Sequence, residues 1–170
     1  ITHDAPDNAI KFMSYNVMSF SNNSKASWND KDIIKYIRES NADIVCLQEA
    51  GGLGKAIDIG ALEIDEYPYH SAEEKKGIAC LSKYPILSNN NISYSSESNS
   101  SYAVEILIGT DTVVVVNNHF ESYRLNSTDK ESYKELIKKP EEVNVEKSYD
   151  TLTDKLVAAN AIRGPQVDSV

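Results

Sequence analysis

The chain has 170 residues, a net charge of −9, 41% hydrophobic residues and 25% charged residues. This is the profile of an ordinary soluble domain, long enough to bury a sizeable core. The shortage of Lys and Arg argues against a non-specific nucleic-acid binder, but it does not exclude a nuclease, since a divalent cation can offset charge locally.

Residues 1–9 are polar and read as a lead-in or linker. "IKFMSYNV" (10–17) predicts a strand from its partial alternation and aromatic content. "SFSNNSKASWND" (19–30) is a polar loop. Asn29 or Asp30 can then cap a helix over 31–40, where Ile33, Ile34 and Ile37 form an apolar stripe. "ADIVCLQ" follows as a second strand, so strand, helix and strand suggest a βαβ unit with parallel strands. "GGLG" (51–54) is a turn, and 55–66 is ambiguous, with a short helix as one reading. "YPYHSA" and "GIACLSKYPIL" predict two further strands, with Pro68 and Pro85 confined to ends or edges. "NNNISYSSESNSS" (89–101) is low in complexity, yet Ile92 and Tyr94 can sit on a strand. "YAVEILIG" and "TVVVVNNHF" flank Gly109, Thr110 and Asp111, which is a hairpin signal. A helix is predicted around 129–138, ended by Pro140. A last helix runs from about 148, with Leu152, Leu156, Ala159 and Ile162 on one face. No repeat is visible. The pattern predicts a mixed α/β sheet with helices on one face.

Cys46 and Cys80 each lie in an apolar segment and read as buried reduced thiols, too few for a disulfide framework. No transmembrane span or signal segment is visible. The first residue is Ile1 rather than Met, so the expectation is that something upstream has been removed, and location stays open.

Three predicted strands end in polar residues suited to a metal–phosphate site. Glu49 closes "DIVCLQE". Ligands and catalytic groups in α/β sheets gather at the carboxyl ends of strands, and a carboxylate there suits Mg²⁺. Asn16 ends the first strand, where its amide can meet a metal-linked water or a phosphate oxygen. The plainer reading is a turn residue bonding its own backbone. His119 ends "TVVVVNNH", where an imidazole can donate to phosphate or move a proton; the plainer reading is a satisfied structural histidine. Glu49, likewise, could merely pair with a lysine. His3 and His70 receive no role. There is no zinc spacing, nucleophile elbow, P-loop or dinucleotide fingerprint, and the aromatic residues are scattered.

"IKFMSYNV", "NADIVCLQEA", "GIACLSKYPI" and "VVVVNNHFES" stand in the order and approximate spacing of the endonuclease/exonuclease/phosphatase superfamily, which this chain resembles over 10–122. The closing "AANAIRGPQVDSV" is similar to that family's helix bearing an Arg and a Gln. The resemblance implies a deoxyribonuclease-like four-layer α/β sandwich of two packed sheets with helices outside. It implies a metal-dependent phosphoesterase using Mg²⁺ or Mn²⁺. Glu49 would be the metal ligand, Asn16 would help arrange metal and phosphate, and His119 would stand near the scissile phosphate.

The family's later Gly-Asp-x-Asn motif and terminal Asp-His pair do not occur here. The expectation is therefore an amino-terminal portion, residues 10–170, truncated before those motifs and of very low turnover alone. Such a half is expected to leave a sheet face open, through which it could form a homo-oligomer. The substrate class implied is a phosphate ester: nucleic acid, a phospholipid head group or a small phosphoester. A non-catalytic binding module on the same fold is the alternative. An extracytoplasmic or membrane-anchored setting is compatible with both.

Overall fold

The computed structural model describes residue 6 and residues 8–21, 30–51, 62, 64–94, 96, 99–138 and 145–170. The cap at Asn29, residues 55–61, Gly52–Gly54, His3 and Pro140 fall outside these residues. The chain forms two compact units: Ile1–Ser93 with Ser98–His119, and Tyr94–Glu97 with Phe120–Val170.

The first unit opens with β1 (Phe12–Asn16), α1 (Asp30–Ser40) and β2 (Ile44–Gln48). β1 and β2 pair in parallel, as the βαβ reading requires. β3 (Tyr69–Glu73) and β4 (Ile78–Ser82) complete a four-stranded sheet ordered β1-β2-β4-β3. "GIACLSKYPIL" is two strands, not one. β4 ends at Ser82, and β5 (Ile86–Ile92) starts after Pro85, which cannot donate to a ladder. β5, β6 (Ser100–Ile108) and β7 (Asp111–His119) form a separate antiparallel sheet. Ile92 lies on β5, whereas Tyr94 lies outside any strand. β6 and β7 join through Gly109 and Thr110. Gly109 has φ +64°, the left-handed value that a two-residue hairpin turn asks of its first position.

Period-two alternation sorts β2 and β4 into two faces. Val45, Leu47, Ala79 and Leu81 pack with Ile33 and Ile37 of α1. Ile44, Cys46, Ile78 and Cys80 pack with Tyr102, Val104, Ile106 and Val115 of the second sheet. This unit is therefore helix on sheet on sheet. Each large side chain removed from water in these layers contributes about 1.5–3 kcal/mol. Cys46 and Cys80 face each other across the ladder as free, buried thiols. The hydrogen bond to Cys80, and then burial, push the Cys46 thiol far up, which keeps it inert.

The two packed sheets that the family resemblance implies are present, whereas the strand pattern alone read a single mixed sheet with one open face. The second sheet covers the first over β2 and β4, while both edge strands keep exposed residues, with Phe12 on β1 50% and Tyr69 on β3 40% exposed. The open face on which self-association would rest is largely filled by the protein's own strands.

Two local features carry predictions. Gly77 has φ +60°, and a Cβ there would lie 2.8 Å from the Gly51 nitrogen. Gly77→Ala is expected to destabilise the fold by about 2–3 kcal/mol, through overpacking and a left-handed alanine, as read by urea unfolding. An unchanged midpoint would contradict it.

Asp43 ties three segments together. Its Oδ2 accepts the Lys11 N–H at 2.8 Å and its Oδ1 accepts Lys83 Nζ at 3.2 Å. Burial raises its pKa, but the Lys11 N–H and Lys83 outweigh burial and hold the carboxyl below its ordinary value. A depressed native pKa gives stability that is present above about pH 4 and lost as pH falls through the native value. Asp43→Asn is expected to lower stability at neutral pH and to flatten the acid limb of a stability–pH curve. Urea midpoints between pH 7 and pH 3 would show parallel curves if Asp43 were not involved.

The second unit contains α2 (Ser127–Lys138) and α3 (Val145–Asp168). α2 begins at a reciprocal cap: Asn126 Oδ1 accepts the Asp129 N–H at 2.9 Å, and Asp129 Oδ2 accepts the Asn126 N–H at 2.8 Å. Lys155 of α3 also donates to Asp129, and these contacts hold the Asp129 carboxyl below its ordinary range. The buried line on α3 is Leu152, Ala159 and Gln166, spaced by seven, while Leu156 and Ile162 are exposed. Arg163 lies over the rings of Phe120 and Tyr123 and donates to the Glu121 carbonyl. Gln166 Oε1 accepts the Glu121 N–H at 2.9 Å. The Arg and Gln of the last helix thus hold the segment after β7.

Candidate functional site

Strand β2 is buried along its whole length, and its last residue hands the chain to Glu49. Continued extension would send Glu49 to the α1 face, opposite Gln48. Instead Glu49 has φ +51°, a left-handed value unusual for a residue with a side chain. Three consecutive residues after β1 share that conformation: Met18, Ser19 and Phe20, at φ 46°, 57° and 51°. The two irregular segments hold each other. Ser19 N donates to the Glu49 carbonyl at 2.7 Å, Val17 N to the Gln48 carbonyl at 2.9 Å, and Ser19 Oγ to the Gly51 carbonyl at 2.9 Å. Left-handed non-glycine residues cost about 1–3 kcal/mol each and persist where surrounding structure over-determines them.

The consequence is a convergence on one oxygen. Asn16 Nδ2 donates to Glu49 Oε1 at 2.8 Å, and His119 Nε2 stands 3.3 Å from the same atom. Asn16 Oδ1 accepts the Met18 N–H at 3.0 Å, which fixes which end of the amide faces Glu49. The three residues come from the ends of β1, β2 and β7, which belong to two different sheets. The Glu49 side chain is 42% exposed and that of His119 21%, so the carboxylate is open to solvent while the imidazole is mostly covered. The structure therefore brings Asn16, Glu49 and His119 together. His70, given no role from sequence, is exposed on β3.

The donor set can be weighed against the cation that the resemblance implies. Mg²⁺ prefers hard oxygen donors, keeps several waters and is commonly held by one or two carboxylates plus substrate phosphates. Glu49 offers one solvent-facing carboxylate of that kind, and Asn16 secures it. The set fits such a site. Among the described residues no cluster of three or more His, Cys, Asp and Glu side chains occurs, so a closed transition-metal cage has no support there.

Two buried polar residues escaped the sequence reading. Gln48 is 7% exposed and Asn117 is 2% exposed. Gln48 Nε2 donates to Asn117 Oδ1 at 2.6 Å and lies 3.2 Å from Ser14 Oγ. Asn117 Nδ2 donates to the carbonyls of Leu47 at 3.0 Å and Ala79 at 2.9 Å. Their signal in the sequence was register: each occupies the inward-facing phase of an otherwise apolar strand.

Three solved structures of similar fold each share under a quarter of their residues with this chain. Sphingomyelinase C from Streptomyces griseocarneus matches with a TM-score of 0.50 and 23% identity, over 69% of this chain and 50% of that one. Truncated TDP2 from Caenorhabditis elegans matches with a TM-score of 0.52 and 20% identity, over 75% of this chain and 51% of that one. An endonuclease/exonuclease/phosphatase from Beutenbergia cavernae matches with a TM-score of 0.52 and 14% identity, over 79% of this chain and 44% of that one. These likenesses establish the deoxyribonuclease-like fold, of which the chain spans about half the length seen in those structures. A search of curated proteins found no match. The model of the Endonuclease/Exonuclease/phosphatase family matches residues 13–162, the stretch that contains Asn16, Glu49 and His119, and the chain belongs to that family.

Proposed function

We propose that this chain carries the metal-binding part of a phosphoesterase site that hydrolyses a phosphate ester by metal-assisted attack of water. The observation that supports it best is the meeting of Asn16 and His119 on one oxygen of Glu49, at strand ends from two sheets. Convergence of three independently placed polar ends is unexpected if each were only a turn residue or a lysine partner.

Glu49, supported by Asn16, would hold Mg²⁺ or Mn²⁺. Such an ion polarises a phosphoryl oxygen and acidifies a bound water. The chain's own residues do the positioning. Asn16 keeps Oε1 aimed away from the α1 core, and its own amide is locked by the Met18 N–H. His119 Nε2 stands 3.3 Å from Glu49 Oε1, where it could donate to an oxygen of a phosphate held by that ion. Among the described residues the site carries one carboxylate, and the Gly-Asp-x-Asn and Asp-His elements that would orient the water are absent from the sequence. Turnover by these 170 residues alone is therefore slow, because in-line placement of the nucleophile supplies much of the rate. The domain reading that follows is residues 10–170 as an amino-terminal part of the family's domain.

The substrate class is a phosphate ester. The net charge of −9 weighs against long DNA and leaves a phospholipid head group or a small phosphoester better matched. No helix among the described residues is long and apolar enough to cross a membrane.

The test is hydrolysis of bis-p-nitrophenyl phosphate with Mg²⁺, with EDTA, and with Glu49→Ala. The expected outcome is slow turnover that needs Mg²⁺ and disappears in the variant. Turnover that survives EDTA or the substitution would overturn the proposal.

A further inference from the structure

We propose that Asn117, clamped by Gln48, is a positioning residue that sets the register of the second sheet against the first and so places His119 on Glu49. This rests on the reading of Glu49 and His119 as one site.

Glu49 follows the last strand residue of β2, in the first sheet, whereas His119 ends β7, in the second. Among the described residues no backbone ladder connects these sheets, so the 3.3 Å approach of His119 to Glu49 depends on how the sheets slide over each other. Between them lie Ile44, Cys46, Ile78, Cys80, Tyr102, Val104, Ile106 and Val115. Apolar burial is non-directional: it fixes the spacing of two sheets much better than their slide. Hydrogen bonds are directional. Asn117 spans the gap with three of them, and each meets a different group on the far sheet. Its amide nitrogen donates to Leu47 on β2 and Ala79 on β4, and its oxygen accepts from Gln48. All of these bonds are buried, where an unmade partner costs about 1–3 kcal/mol, so a slide of the sheets breaks several at once.

The placement is also specific to the site. Asn117 lies two residues before His119 on the same face of β7, and Gln48 immediately precedes Glu49. The clamp therefore joins the two strands at the step before their functional residues. A second polar bond crosses the gap from the neighbouring strand, between Tyr102 and Ser71 at 2.5 Å, and Tyr102 is the ladder partner of Asn117. That bond lies toward β3, and it and the apolar layer between the sheets are left in place when the clamp is cut.

The experiment reads His119 directly. Mn²⁺ broadens NMR signals of nearby protons, and the three histidines of the chain are told apart with His119→Gln. In the wild type, added Mn²⁺ is expected to broaden the His119 ring signals strongly and those of His70 weakly. In Asn117→Ser, compared with the wild type at equal Mn²⁺ occupancy, His119 broadening falls several-fold, while Glu49 and Asn16 are untouched. A merely structural asparagine would lower stability and leave the broadening of the folded protein unchanged, which would overturn the proposal.

Gln48→Met serves if Asn117→Ser does not fold. It removes one bond of the clamp and keeps both bonds of Asn117 to the backbone. A partial loss of His119 broadening is expected, and wild-type broadening would again overturn the proposal. If wild-type His119 does not respond to Mn²⁺ at all, the metal reading of Glu49 falls and takes this inference with it. That failure shows before any Asn117 variant is made.

Discussion

Glu49→Gln is expected to weaken Mn²⁺ binding by at least about 100-fold, measured as free Mn²⁺ by electron paramagnetic resonance. Even outer partners of metal ligands are commonly worth 10–100-fold in affinity, and Glu49 offers the carboxylate itself. Glutamine keeps the shape and one carbonyl acceptor but removes the charge. The side chain is 42% exposed, so folding should hardly notice. Stability within about 0.5 kcal/mol of the wild type is expected, as for surface substitutions. A variant that lost stability and kept its metal would mark Glu49 as a structural residue.

Ile37→Ala should do the reverse. Ile37 is fully buried between α1 and the first sheet. Truncation leaves a cavity that its neighbours fill only in part, and changes of this type cost about 2–5 kcal/mol. Its neighbours in that core include Val45 and Leu47, but the polar clamp on β2 and the Asn16–Glu49 bond lie on the opposite side of the sheet. Mn²⁺ affinity measured well below the unfolding transition is therefore expected to match the wild type. Together the two variants separate what holds the fold from what holds the ion. Equal losses of affinity in both would mean that the site is only as good as the packing beneath it.

Much of this was legible from sequence because period and chemistry agreed. The alternation in "GIACLS", the apolar run "DIVCLQ" and the stripe Ile33–Ile37 each specify an element and its buried face. Gly109 marks the hairpin because its left-handed φ is a position that favours glycine. Asn16, Glu49 and His119 were legible as strand-end polar residues. Their convergence was not, since it depends on two sheets that only tertiary packing assembles. Alternation tells which residues share a face, but not which sheet a strand joins, so seven strands read as one layer. α2 starts two residues earlier than predicted because Asn126 and Asp129 cap it reciprocally, a pattern visible as Asn-x-x-Asp. Leu156 and Ile162 looked like core because helical spacing admits them, yet the covered line on α3 is narrower and ends in polar Gln166. The left-handed turn at Met18–Phe20 had no glycine to announce it. It is strain held by contact with the Glu49 segment, and sequence does not display such contacts.

Anomalous scattering from crystals grown with Mn²⁺ and inorganic phosphate tests most directly where a cation sits. The expected result is an anomalous peak in direct contact with a carboxylate oxygen of Glu49, with phosphate on the side of His119. A peak at an acidic surface pair such as Glu73 and Glu74, with nothing at Glu49, would contradict the assignment of this site.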